Sequence, residues 1–462
     1  MTGTITEVEA GDDFREDEVL GPDHVAKGRN AGRLWSMNAN GQVCFGGGLH
    51  RADEADDAAL HTRAHLGITL LGRVQTPADA YVVRVQPPSG RLEYRFYNPK
   101  TFLLDRIEEI RHARRLTVSF SDYRTTRGLA EPWHVHVSDG FATNDEDRVL
   151  VSLEVGIRIA PSELSIPTPG APLISVNSSP DRISADMSGD DVIVPVGVAG
   201  HTVNFILDSG ASGIVIDNGL AQVFGIKEYG RITDETAGTY VESNVVIPQM
   251  TVGNLTLANV HARSLPFAQW SDAGKPIGGL LGFDFIANVV WHIDYQHGTL
   301  EAVAPSSFTP PAGVRSFPVT FDDFVPTFGI TIDGVAAPAF ILDTGAYRST
   351  IFSRYVTMHA GQFPDRGLGE AMTAAFPFVN DFTGVGGSVE YRPLELGPLI
   401  VGAWSFPTWL FDVTQNASAF EFEDYDGLMG QDFLRNFDVY LDYPSAHIYL
   451  APNERFRQRW PA

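Results

Sequence analysis

A chain of 462 residues with 57 acidic and 33 basic side chains has a formal net charge of −24, and such a surface repels nucleic acid and anionic membranes. Hydrophobic residues at 44%, charged residues at 19%, 45 glycines and 29 prolines exclude a disordered or fibrous chain and predict a turn-rich, mainly β protein. The lone cysteine, Cys44, excludes an intrachain disulfide framework and a multi-thiolate metal site. No apolar run reaches the roughly eighteen residues of a transmembrane helix.

At roughly 100 to 200 residues per domain, the length predicts two to four domains. The first thirty residues, with Asp12, Asp13, Glu16 and Asp17, hold no apolar signal core. The chain is therefore expected either to stay in the cytoplasm or to lack its export segment as given. Residues 1–160 are expected to form an antiparallel β-sheet domain. Its strands are predicted at Tyr81–Val85, Leu92–Tyr97, Leu116–Phe120 and Val149–Val155, with turns at Pro87-Pro88-Ser89-Gly90 and Asn98-Pro99. Ile107–Ile110 reads equally as a helix start or a strand edge. Prolines at 161, 167, 169 and 172 mark a linker over 161–180, and Pro305, Pro310, Pro311 and Pro318 mark a second over 305–318. The units they bound are 181–304 and 319–462.

These two units repeat one another. Asn204-Phe205-Ile206-Leu207-Asp208-Ser209-Gly210-Ala211 returns as Ala339-Phe340-Ile341-Leu342-Asp343-Thr344-Gly345-Ala346. Gly279-Leu280-Leu281-Gly282-Phe283-Asp284-Phe285 returns as Gly427-Leu428-Met429-Gly430-Gln431-Asp432-Phe433. An apolar-Asp-Tyr strand follows each, and 12 residues separate Gly282 from Asp294 as they separate Gly430 from Asp442. Three matched blocks in one order imply duplication. In each copy a short strand, Val192–Val198 or Phe328–Ile332, turns at Ala199-Gly200 or Asp333-Gly334 into the apolar strand that ends in the aspartate.

An aspartate at a strand end, followed by a small hydroxyl residue and glycine, is an ordinary turn when it occurs once. Occurring twice in duplicated units, Asp208 and Asp343 become candidates for paired acid–base work. Peptide hydrolysis by carboxylates needs one group ionised to take a proton from water and the other protonated to donate to the carbonyl oxygen. Two carboxylates at short range resist joint ionisation and split their pKa values, as the aspartic proteases illustrate. Gly210 and Gly345 let the two loops approach. Ser209 and Thr344 supply hydroxyls able to bond across to the facing loop.

These blocks resemble the retropepsin-like and pepsin-like aspartic peptidases over residues 185–455. The resemblance implies two tandem β-barrel lobes forming a pseudo-dimer, a polypeptide substrate, no metal or cofactor, and Asp208 and Asp343 as the catalytic pair. It also implies a β-hairpin flap closing over the substrate. The flap candidates are Ala237-Gly238-Thr239-Tyr240 and Gly384-Val385-Gly386-Gly387. The linker near Pro310 favours pairing of the lobes within one chain, as a monomer, over pairing between copies.

Within residues 72–152, Tyr97 to Leu104, Ser121-Asp122-Tyr123-Arg124 and Gly128 to Pro132 resemble bacterial lipoprotein-carrier-like β domains. That resemblance implies a bacterial cell-envelope or periplasmic setting and a lipid or acyl ligand at the N-terminal domain. Other motifs are weaker. His134 and His136 share a strand face but no third ligand follows, and His61 and His65 lack the glutamate of a zinc protease motif. Gly210-Ala211-Ser212-Gly213 misses the spacing of a serine nucleophile elbow. The rival to an aspartic endopeptidase is a peptide- or lipid-binding cell-envelope protein on the same fold, without turnover.

Overall fold

The computed structural model describes the chain apart from residues 47–66, 76–77, 87–91, 112–113, 177–179, 236, 268–269, 360, 364–379, 385, 416–424 and 461–462. It is mainly β, and it divides into two compact units: Met1–Gly47 with Leu164–Ala462, and Gly48–Glu163. Residues 1–160, expected as one β domain, are therefore split, because the first strands pack with the lobes.

Within unit 2, seven antiparallel strands lie in sequential order from Ile68–Val74 to Glu146–Val149. Ile107–Ile110 falls inside the strand Leu104–Arg111, so the strand alternative holds. The strand expected over Val149–Val155 instead ends at Val149. Beyond it the Leu150 N–H still donates to the Trp133 carbonyl at 3.0 Å, but no further rung follows. His134 and His136 bracket one oxygen of Asp147 at 2.9 and 3.0 Å. His61 and His65 lie outside the described residues.

Unit 1 contains two sheets of matched strand order. In lobe 1 the strands run Ile193–Val198, His201–Leu207, Gly279–Leu281, Ile214–Asp217, Leu255–Leu265, Thr239–Val252, Glu228–Glu235. In lobe 2 the same path is Val325–Ile332, Val335–Leu342, Gly427–Met429, Thr350–Ile351, Trp409–Thr414, Gly387–Leu396, Asn380–Gly384. Register agrees as well: Phe205 pairs in parallel with Gly279 and Leu207 with Leu281, as Phe340 does with Gly427 and Leu342 with Met429. The continuous apolar runs Phe205-Ile206-Leu207 and Phe340-Ile341-Leu342 are buried on both faces, as central strands require.

A six-stranded sheet joins the lobes. Asp181–Ser184, Thr299–Val303 and Val290–Asp294 come from lobe 1, and Phe437–Asp442, His447–Pro452 and Arg315–Pro318 from lobe 2. Part of the expected second linker is thus its edge strand. At the seam His292 pairs with Tyr440, each ten residues past its block glycine, so the pseudo-twofold axis passes between them. Their rings stack at 4.3 Å.

The first 45 residues form a five-stranded antiparallel meander, Gly3–Ala10 to Val43–Phe45, held to lobe 1 by buried polar contacts. Asp23 accepts from Tyr229 and Asn244 and bonds His261, at 2.7, 3.0 and 2.5 Å. Asn40 exchanges two bonds with the His261 backbone at 2.8 and 2.9 Å.

Trp291 tests the seam: it is fully buried, pairs with Leu441 across it and stacks on Phe285 at 4.5 Å. Trp291→Ala is expected to cost about 3–5 kcal/mol of unfolding free energy in a urea titration. A loss below about 1 kcal/mol would show that the seam contributes little.

Candidate functional site

Asp208 and Asp343 end equivalent strands, and the glycine block of each lobe passes beneath its own aspartate. The Asp208 N–H donates to the Leu281 carbonyl at 3.1 Å and the Asp343 N–H to the Met429 carbonyl at 3.0 Å. Each loop then turns on its glycine, whose N–H donates back to its own aspartate, Gly210 to Asp208 at 2.9 Å and Gly345 to Asp343 at 2.8 Å.

The loops lock to each other by exchange. The Ser209 N–H donates to Thr344 Oγ1 and the Thr344 N–H to Ser209 Oγ, both at 2.9 Å. Each hydroxyl in turn donates across to the strand before the opposite aspartate, Ser209 to the Leu342 carbonyl and Thr344 to the Leu207 carbonyl, both at 2.7 Å. Ser209 and Thr344 are 1% and 0% exposed, so no water replaces a lost partner. Close approach makes the glycines obligatory. A Cβ on Gly210 would lie 2.7 Å from the Asp343 carboxyl carbon, and one on Gly345 would lie 2.6 Å from that of Asp208.

The carboxyl groups stand in mutual hydrogen-bond contact. Burial, then the Asp343 charge, push Asp208 well above the usual carboxylate range. Burial also raises Asp343, but the Gly345 N–H, the bond from Asp208 and the Ala346 N–H oppose it. Both groups are thus held above the usual carboxylate range, so their joint ionisation is disfavoured. The pair titrates as a unit.

Sequence reasoning missed the residues that make the site asymmetric. Asp191, 6% exposed, precedes Val192, whose carbonyl accepts from the Leu207 N–H at 2.9 Å, next to the Asp208 strand end. Burial first, then Asp272, Asp190 and Asp343, raise its pKa to about 7. Asp191 also pushes Asp208 upward. The corresponding position of lobe 2 is Val325, which carries no charge. No sequence pattern marks Asp191. Asp284 and Asp432 did carry a signal, each two residues past its block glycine. They accept from equivalent backbone groups, Ile214 N–H at 3.3 Å and Ser349 N–H at 2.8 Å. Asp284 also accepts from Asn38 of the meander at 2.8 Å.

The flap candidates meet. Gly238 and Thr239-Tyr240 lie at the turn and strand start of one hairpin, Gly384 and Gly386 at the tip of the other. A Cβ on Gly238 would collide with the Gly386 carbonyl, and one on Gly386 with the Gly238 carbonyl. Val385 lies outside the described residues. Below the first hairpin, Tyr240, Trp270 and Ala211 of the Asp208 loop pack on an apolar cluster that includes Ile193, Phe267 and Ile277. Among the described residues no group of three or more His, Cys, Asp or Glu side chains is arranged to hold a metal ion, and no helix is long and apolar enough to cross a membrane.

Residues 194–285 match the family model described as aspartyl protease, so this stretch, which holds Asp208, is an aspartic peptidase-like region. No curated protein matches the chain.

Burial raises Asp191 to about 7, Asp284 to about 6 and Asp412 to about 7, against roughly 3.9 for an unfolded aspartate. Each group favours folding fully below the unfolded value, and that contribution is lost as pH rises to the folded one. Unfolding free energy is therefore expected to fall between about pH 4 and 7, by up to about 1.4 kcal/mol per pH unit for each group. Asp191→Asn should remove one proton's share of that slope in denaturant titrations. An unchanged slope contradicts the assignment.

Proposed function

We propose that the protein is an aspartic endopeptidase in which Asp208 and Asp343 activate one water between the lobes of a single chain. The observation that carries this reading is the carboxyl pair in mutual hydrogen-bond contact, held by reciprocal Ser209 and Thr344 bonds. Ionised Asp343 takes a proton from the water as its oxygen bonds to the scissile carbonyl carbon. Asp208 gives its proton to the carbonyl oxygen, so charge does not build up on that atom. In collapse, the leaving nitrogen takes the proton from Asp343, the C–N bond breaks and a hydroxyl of the tetrahedral carbon returns a proton to Asp208. The dyad is thereby restored.

The meeting hairpin tips support a role as paired flaps that cover an extended polypeptide and exclude bulk water. The cluster beneath Tyr240 and Trp270 fits a large apolar side chain next to the scissile bond. Trp270→Ala is expected to lower kcat/KM for substrates with such a residue by about tenfold, with little change for alanine there. An equal loss for both substrates would contradict the pocket.

Asp208→Asn and Asp343→Asn should each lower hydrolysis of an unfolded protein by at least about a thousandfold. A statine-type inhibitor should block the parent protein. Retained cleavage in either variant would refute the mechanism. Mixing the two variants should restore nothing, and recovered activity would instead favour pairing between copies.

A further inference from the structure

The duplicated blocks put different residues beneath the two aspartate loops. The residue after the block glycine is Gln431 in lobe 2 and Phe283 in lobe 1. Both use the backbone N–H alike, Gln431 donating to the Ala346 carbonyl at 2.8 Å and Phe283 to the Ala211 carbonyl at 3.0 Å. Gln431, 1% exposed, adds a side-chain bond, with Nε2 donating to the Thr344 carbonyl at 2.5 Å. A phenylalanine side chain has no polar atom, so its position gives the Ser209 carbonyl no such bond. Phe283 packs instead against Phe321 and Phe324, with ring centroids at 5.3 and 5.1 Å.

The Thr344 carbonyl shares a peptide group with the Gly345 N–H, which donates to Asp343 Oδ1 at 2.8 Å. Amide, peptide and carboxyl group thus form one chain of hydrogen bonds, in which each bond polarises the next. A donor on the carbonyl side makes the N–H a stronger donor to charge on Asp343. Gly210 serves Asp208 at 2.9 Å without that help from the Phe283 position. From lobe 1 the buried Tyr295 hydroxyl meets the Gln431 side chain, where a bond to Oε1 fixes the amide with Nε2 toward Thr344.

We propose that Gln431 is a positioning residue of the dyad, acting through the Thr344–Gly345 peptide to place the negative charge of the pair on Asp343, a role that rests on the peptidase reading and assigns the base within it. Gln431 touches neither carboxyl group and no reacting atom. Its effect is on which of two like acids ionises first. Asp191 and Tyr443 also bear on the pair, and Arg435 lies over the Tyr295 ring at 5.6 Å. All three stay in place when the Gln431 amide is removed.

The test compares the full chain with Gln431→Met, which keeps the side-chain length and loses the donor. The Gly345 N–H favours the charged form of Asp343, so weakening it raises the pH at which the pair first ionises. The acidic limb of kcat/KM should therefore move to higher pH by about half a unit, and kcat at the optimum should fall about threefold with KM nearly unchanged. Tyr295→Phe should move the limb in the same direction by less. A merely structural loss lowers activity at every pH and leaves the limb where it was, and that result in Gln431→Met would overturn the role. Should Gln431→Met melt well below the parent protein, Tyr295→Phe decides in the same way. The 13C signal of a labelled Asp343 carboxyl, identified by its loss in Asp343→Asn, follows the titration without turnover. An upward move of that titration in Gln431→Met, in a protein that hydrolyses nothing, upholds the role of Gln431 and removes the peptidase. An unmoved titration removes the role even where hydrolysis is robust.

Discussion

Two hydroxyl groups hold the site. Ser209 and Thr344 each accept from the opposite loop's backbone N–H and donate to the opposite strand's carbonyl, all in the dry interior. Loss of either leaves buried donors and acceptors unpaired, at about 1–3 kcal/mol each. Burial opposes ionisation of both carboxyl groups, and the Asp343 charge opposes that of Asp208. The surrounding lobes, with their shared six-stranded sheet, supply the free energy that keeps two reluctant acids in contact.

Near-symmetry places the acids, and departures from symmetry divide their roles. Asp191 sits where lobe 2 has Val325, so one lobe alone adds a carboxylate whose charge bears on the pair. The Gly345 and Ala346 N–H groups favour charge on Asp343. A duplicated structure can thus hold an acid and a base of identical residue type. The same logic applies beneath the loops, where Gln431 stands in one lobe and Phe283 in the other.

Much of this was legible in the sequence, for a physical reason. The strand-end aspartates, the hydroxyl-glycine turns and the glycine blocks are constrained twice over, by the fold and by the need to face a copy of themselves, so they survive as repeats. Asp284 and Asp432 were visible in those blocks, yet their backbone bonds emerge only when the Asp208 and Asp343 loops fold over them. Asp191 lies in no pattern because its effect depends on the adjacency of Val192 and Leu207, brought about by strand pairing. The N-terminal meander left a signal of another kind: turns at Gly11-Asp12, Gly21-Pro22 and Ala31-Gly32 recur about every ten residues, with positive φ at all three glycines. Asp23, with Asn38, Asn40 and Gln42, faces lobe 1 and ties the meander to it.

The central claim is that one proton is shared by two carboxyl groups that act together on water. The pH dependence of kcat/KM for a quenched fluorescent polypeptide tests it most directly. The account predicts a bell with two limbs that belong to the pair, and an alkaline limb that moves to lower pH when Asp191 becomes asparagine. A single-limbed profile, or a bell unmoved by that change, would contradict it.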